Sequence, residues 1–248
     1  FYEKDGKRAK VVVNNFSEDN TIKSLARFLS QQLRDLGING GQAWYRTQFY
    51  LEEDASLVSV RLLFDGVYMN SQVYINGQVL SYYPNGYTPF SYDITLYLRN
   101  DGTANQLAVF VENQQPSSRW YSGSGIYREV KLLVTDAVHL DLYGIKISSP
   151  KLKEQRQSWV ETQLESKVSN DGPQSVSVHL EQSIWYEGQQ LSDWQATDFV
   201  VIEAGDKYSF QQAISIFQPL LWDIDHPHLY QLKTRLYKNG ILVDEEEE

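Results

Sequence analysis

Three features of the sequence predict an all-β fold built as two consecutive sandwiches. Apolar side chains alternate at period two through most of the chain, the spacing that puts one face of a strand against a core. Asn-Gly pairs at Asn76-Gly77 and Asn239-Gly240 sit between alternating runs, the strongest short-range hairpin signal. Seventeen Tyr, ten Phe and six Trp, set among Val and Thr, favour strands over helices.

The elements follow in order. Lys10 to Val13 reads as a short strand. Asn20 to Gly37 differs: Ile22, Leu25, Ala26, Leu29, Leu33 and Leu36 recur at steps of three and four, which predicts an amphipathic helix capped by Asn20 or Thr21 and ended by Gly37. Covering a sandwich edge is the role expected of it. From Trp44 the period becomes two, with strands predicted over 44–51, 57–64, 72–75, 78–82, 90–94, 106–112 and 129–134. Many short strands at regular spacing describe a sandwich or jelly roll. The domain boundary is placed at Thr135-Asp136, giving units 1–135 and 136–248. In the second unit strands are predicted over 138–147, 159–168, 176–186, 198–202, 208–216 and 229–237, with turns at Asn170 to Pro173 and Ala204 to Asp206. About seven strands in about a hundred residues predict an immunoglobulin-like sandwich.

Composition removes several functions. At 248 residues the chain has room for two ordinary domains. A net charge of −10 disfavours a nucleic-acid partner held by phosphate neutralisation. Part of that charge is the run Asp244 to Glu248, read here as saying little about the folded surface. The absence of cysteine excludes disulfides, thiol catalysis and a cysteine-built zinc site. No apolar run is long enough for a helical membrane span, and Phe1-Tyr2-Glu3-Lys4 is not expected to be a signal peptide. The compartment stays open between cytoplasm and bacterial cell surface.

One stretch, Gln114 to Arg128, is too aromatic and polar for a plain connection. Arg119, Trp120 and Tyr121 are residue types that hold a planar or hydroxylated ligand. Gly123 and Gly125 permit close backbone approach. The residues themselves leave two readings open, a grip on a ligand or an aromatic plug at the sandwich end. Elsewhere chemistry is sparse. His226 and His228 lie near Asp223 and Asp225, but no third ligand is evident, so a polar turn is expected and no metal or cofactor. Asp65, Asp93, Glu112 and Glu129 offer carboxylates, yet each has a structural explanation and no pair is set apart for glycoside hydrolysis. No catalytic residue is assigned.

Phe64 to Gly77, Asn85 to Ile94 and Ser122 to Val130 resemble, in that order, the first-domain motifs of glycoside hydrolase family 2. Pro219 to Trp222 with Pro227 to Tyr230 is similar to the end of the family's second domain. Within the family these words are most similar to bacterial β-galactosidases. The resemblance implies a jelly-roll, galactose-binding-like domain, then an immunoglobulin-like sandwich, then a catalytic TIM barrel carrying both glutamates of a retaining mechanism. These 248 residues hold only the first two, so the chain is expected to be a non-catalytic N-terminal portion whose partner is that barrel. By the same resemblance Asn113, Arg119, Trp120 and Tyr121 are expected to touch a galactoside-type carbohydrate. A free-standing carbohydrate-binding module and a structural or homo-oligomer-forming module are the alternatives. The family's usual Pro-His-Asp-Trp-like segment is replaced by Asn14 to Asn20, a departure at one wall of the sugar site.

Overall fold

Alternation in the sequence becomes alternation of burial in the computed structural model, which describes residues 41–51, 58–113, 124–155 and 158–248, with 2–4 and 7–9 as backbone. The strand expected at Lys10 to Val13 and the helix expected from Asn20 to Gly37 lie outside the described residues. The chain divides into two compact units, Phe1–Val134 and Thr135–Glu248.

In the first unit the strands are β1 (Tyr2–Lys4), β2 (Lys7–Ala9), β3 (Gly41–Phe49), β4 (Val58–Phe64), β5 (Val67–Tyr68), β6 (Ser71–Ile75), β7 (Gln78–Tyr83), β8 (Phe90–Asp93), β9 (Asn105–Asn113), β10 (Gly125–Ile126) and β11 (Val130–Asp136). They form a six-stranded sheet β2-β1-β3-β9-β6-β7, a three-stranded sheet β11-β4-β8, and the pair β10-β5. The sheets close on one apolar core: Tyr45, Phe49, Val73, Ile75, Leu107, Val109 and Val111 from the large sheet, and Val60, Leu62, Phe64, Phe90 and Val130 from the small one. Phe64 and Phe90, paired across β4 and β8, stack at 4.9 Å. The Asn-Gly hairpin has its left-handed backbone at Asn76 (φ 51°) and Gly77 (φ 84°), as a type I′ turn requires. Asn76 does more than turn: its amide donates to the Tyr97 carbonyl and to Asn105 Oδ1, and its Oδ1 accepts from the Gln106 N–H.

The strand expected through Ile94 stops at Asp93, whose carboxylate holds Thr95 at the start of a 3-10 turn over Thr95–Tyr97. Its Oδ1 accepts from both the Thr95 N–H (2.9 Å) and hydroxyl (2.7 Å), while Thr95 Oγ1 accepts from the Val60 N–H.

In the second unit the strands are β12 (Val138–Ser148), β13 (Trp159–Asn170), β14 (Val176–Tyr186), β15 (Gln189–Gln190), β16 (Gln195–Ala196), β17 (Val200–Ile202), β18 (Lys207–Phe217), β19 (Tyr230–Lys238) and β20 (Ile241–Glu247), with one helical turn at Leu152–Gln155. One sheet is β12-β13-β18; the other is β15-β14-β19-β20, with β16 and β17 also on β14. Two apolar clusters fill the space between them, one around Leu180 and Leu236, the other around Leu164 and Ile214. Buried polar groups sit in the same interior: Gln182 Nε2 donates to Ser166 Oγ (3.0 Å) and to Thr234 Oγ1 (2.9 Å). Asn170, expected only as a turn residue, is fully buried, and its amide is shared among the Gln174, Ile202 and Glu203 carbonyls.

The acidic run corrects the sequence reading. It is the body of β20, paired residue by residue with β19: Leu236 with Asp244, Arg235 with Glu245, Thr234 with Glu246 and Lys233 with Glu247. Glu245 and Glu247 point outward to Arg235 (2.5 Å) and Lys233 (3.2 Å). Asp244 and Glu246 take the inward side, on which Leu232, Thr234 and Leu236 are buried. Asp244 Oδ2 accepts from the Leu140 N–H on β12 (2.9 Å), tying one sheet to the other. Desolvation first, then the neighbouring Asp244 and Glu248 charges, push the Glu246 carboxyl up to about 7.

A carboxyl raised in the folded state stabilises fully below its unfolded value, and that contribution is lost as pH rises through the folded value. Glu246→Gln is therefore expected to stabilise the chain at pH 8 by about 1 kcal/mol, a figure reduced for its partial exposure. At pH 4.5 the gain should vanish. Thermal unfolding at the two pH values checks this, and a gain independent of pH would contradict it.

Candidate functional site

Three strands, β9, β10 and β5, bound residues 114–123, which lie outside the described residues. β9 delivers Asn113 and the chain is described again from Ser124, where Asn113 Nδ2 donates to Ser124 Oγ at 2.6 Å. Asn113 is 1% exposed, so this clasp lies inside the protein surface. β10 follows at once and pairs antiparallel with β5, Gly125 opposite Tyr68 and Ile126 opposite Val67.

Two glycines permit this geometry. Gly125 has φ 93° and lies against the phenol of Tyr45, so a Cβ there would collide with the hydroxyl. Burial pushes the Tyr45 phenol up to about 12, opposed by a backbone hydrogen bond at Ile126. Gly66 is needed for another reason: a Cβ would stand 2.8 Å from the Tyr127 ring and 3.0 Å from Arg128 Cδ. With no side chain there, the Gly66 carbonyl accepts from the N–H groups of Tyr127 and Arg128. Tyr127 then reaches across to donate its hydroxyl to the Gly86 carbonyl (2.8 Å), joining the loop base to the 84–89 loop.

Asn70 holds the end of β9 from the other side. It has a left-handed backbone (φ 49°). Its amide donates to the Glu112 carbonyl (3.3 Å), its Oδ1 accepts from the Tyr82 hydroxyl (2.7 Å), and the Glu112 N–H donates to the neighbouring Met69 carbonyl (3.1 Å). Asn70 lay within the Phe64 to Gly77 stretch without a role of its own; an Asn two residues after Tyr68 is an ordinary turn residue until its backbone is known. The Glu112 carboxylate accepts from Gln42 Nε2 at 3.0 Å.

Of the four residues expected to touch sugar, Asn113 is therefore buried at the end of β9, with an amide donor engaged by Ser124. Arg119, Trp120 and Tyr121 lie outside the described residues. The carboxylates of the first unit have partners that the sequence did not name. Asp65 and Glu129 both accept from Lys131, at 3.1 and 3.2 Å, an arrangement that raises the lysine's proton affinity, mainly through Asp65. Asp93 holds Thr95. In the second unit His226 faces Asp223 (3.2 Å) while His228 Nδ1 meets the Tyr186 hydroxyl (2.6 Å). Among the described residues no three metal-ligating side chains converge.

Two consecutive β-sandwich units, whose described carboxylates in the first unit are engaged in hydrogen bonds and ion pairs, define a class: an all-β, two-domain protein. Residues 29–136 match the sugar binding domain of glycosyl hydrolases family 2, and residues 142–248 match the following domain of glycosyl hydrolases family 2. The chain belongs to that family. It is 39% identical over 207 residues to the β-galactosidase BoGH2A of Bacteroides ovatus, covering 83% of this chain and 24% of that enzyme. Among solved structures, a family 2 member from Bacteroides cellulosilyticus superposes with a TM-score of 0.77 at 32% identity, over 84% of this chain and 28% of that one. A β-glucuronidase from Bacteroides uniformis gives 0.74 at 28% identity, over 84% and 26%. The chain thus spans about a quarter of the length of these relatives.

Gly125→Ala should destabilise the chain by roughly 2–4 kcal/mol, from left-handed strain and the clash with Tyr45. Adding Tyr45→Phe should recover part of that loss by removing the colliding oxygen, a coupling that a double-mutant cycle in urea measures. Strictly additive effects would contradict the contact.

Proposed function

We propose that this chain is the non-catalytic N-terminal portion of a β-galactosidase-like family 2 hydrolase, acting on the O-glycosyl bonds of a galactoside together with a catalytic barrel domain. The observation that carries the proposal is the ordered pair of family 2 domains over residues 29–248, aligned with a quarter of a β-galactosidase. The described carboxylates support it: Asp65, Asp93, Glu112 and Glu129 serve Lys131, Thr95 and Gln42. Both glutamates of a retaining mechanism then come from the barrel.

In this reading the 114–123 loop is the chain's contribution to the sugar site. Arg119, Trp120 and Tyr121 supply donors to hydroxyls and apolar ring faces to the sugar's C–H side. Asn113 is buried at the end of β9, with its amide on Ser124 Oγ. Galactoside is chosen over glucuronide on the identity to the Bacteroides ovatus enzyme, and the Bacteroides uniformis neighbour makes glucuronide the comparison to run.

The 248-residue chain should give no turnover of a chromogenic β-galactoside or β-glucuronide; turnover removed by a point change within these residues would overturn the assignment. Calorimetry with galactose should return a Kd weaker than about 1 mM, or less than roughly 4 kcal/mol of binding free energy, because half the subsite belongs to the barrel. A tight isotherm that Trp120→Ala abolishes would instead make this a self-sufficient binding module.

A further inference from the structure

The outer face of the large sheet in the first unit carries an aromatic mat that the loop reading does not use. β3 and β9 pair Trp44 with Phe110, and β6 and β9 pair Tyr74 with Ala108. The small Ala108 leaves room for Trp44 and Tyr74 to lean together across β9. Their ring centroids are 5.4 Å apart, and Trp44 lies 5.1 Å from Phe110. The three rings thus form one continuous surface over three strands.

A ring cluster on a sheet is ordinarily cross-strand packing. Two observations add to that here. Trp44 keeps 37% of its surface exposed, with Arg46 Cζ 5.4 Å from its ring centroid. Amides border the rings along β3, β9 and β6: Gln42 and Gln106 are exposed, and Gln72 accepts from the Tyr74 hydroxyl at 2.6 Å, while on β7 the exposed Val79 and Tyr82 stand opposite Tyr74 and Gln72. Along the outward positions of β3, β9 and β6 the charged groups are Arg46 and Glu112, one of each sign.

We propose that this face is a further carbohydrate-binding surface, beyond the role proposed for residues 114–123, that takes a neutral polysaccharide chain. Flat rings offer their faces to the C–H side of pyranose units, and primary amides both donate to and accept from hydroxyls. A balanced charge neither draws nor repels an ionised sugar, so neutral chains are favoured over uronate-rich ones. An apolar protein partner would have to desolvate the amide fringe and both charges without the hydroxyl partners that a glycan supplies. An open face touches a chain along its length instead of enclosing one residue, so binding is weak for single sugars and grows with chain length.

The test is native electrophoresis of the full 248-residue chain through gels holding soluble galactomannan, xyloglucan or hydroxyethylcellulose, beside a sugar-free gel and one holding polygalacturonate. Retardation is expected in at least one neutral gel and not in polygalacturonate. Trp44→Ala should weaken the apparent affinity at least tenfold, while Trp222→Ala, an exposed Trp in the second unit, should leave it unchanged. If Trp44→Ala fails to keep the wild-type circular dichroism, Trp44→Leu retains apolar cover, removes the stacking face and should show the same loss. Normal mobility in every neutral gel, or equal retardation of a folded Trp44 variant, would overturn the proposal. So would a wild-type dimer in sedimentation equilibrium that the Trp44 variant converts to monomer, since the face would then be a protein interface.

Discussion

The antiparallel pairing of β3 with β9, nine residues long from Gly41 opposite Asn113 to Phe49 opposite Asn105, is the constraint from which most of the first unit follows. A period of two leaves no freedom once one face is buried, because slipping by a single residue would exchange the two faces. The inward set, Tyr45, Phe49, Leu107, Val109 and Val111, closes the core. Trp44 and Phe110 are thereby sent outward. The Gly41–Asn113 pair brings Asn113 to the end of the ladder, where it meets Ser124. Core, outer face and loop root are three outcomes of one register.

The second unit is held differently. Its interior carries hydrogen bonds as well as apolar contacts, with Gln182 bridging Ser166 on β13 and Thr234 on β19. Buried amides satisfied on specific partners make alternative alignments of the two sheets costly, because any shift would strand a donor. Asn170 acts in the same sense at the end of β13, gathering carbonyls from the 174 and 202–203 segments. A sandwich without cysteines thus gains specificity from polar contacts between particular side chains.

Most of this architecture was legible because strands with one buried face write their period into the sequence. The hairpins at Asn76-Gly77 and Asn239-Gly240 were equally legible, since their positive φ values demand those residues. The short strands β5 and β10 were not: two residues carry no period, and their pairing depends on Gly66 and Gly125 admitting Tyr127 and Tyr45. Asn70, Asn170 and Gln182 were invisible for a related reason. A polar residue's partner is set by the fold, and Asn in a turn looks alike whether it is solvated or buried. At the candidate site, the sequence identified the residue types of the loop, and the structure supplied the clasp and the glycine contacts that fix where it starts and ends.

The inward carboxylates of β20 bear on how the protein meets copies of itself. Among the described residues β20 borders its sheet, with β19 on one side. An open strand border is a template on which another extended chain can add, the first step toward fibrous aggregates. Asp244 and Glu246 set charge on the side of the border that an added strand would need to be apolar. Glu245 and Glu247 set charge on the other side, in ion pairs with Arg235 and Lys233. A tract that resembles a solvated acidic tail thus sets acidic side chains on both sides of a sheet border.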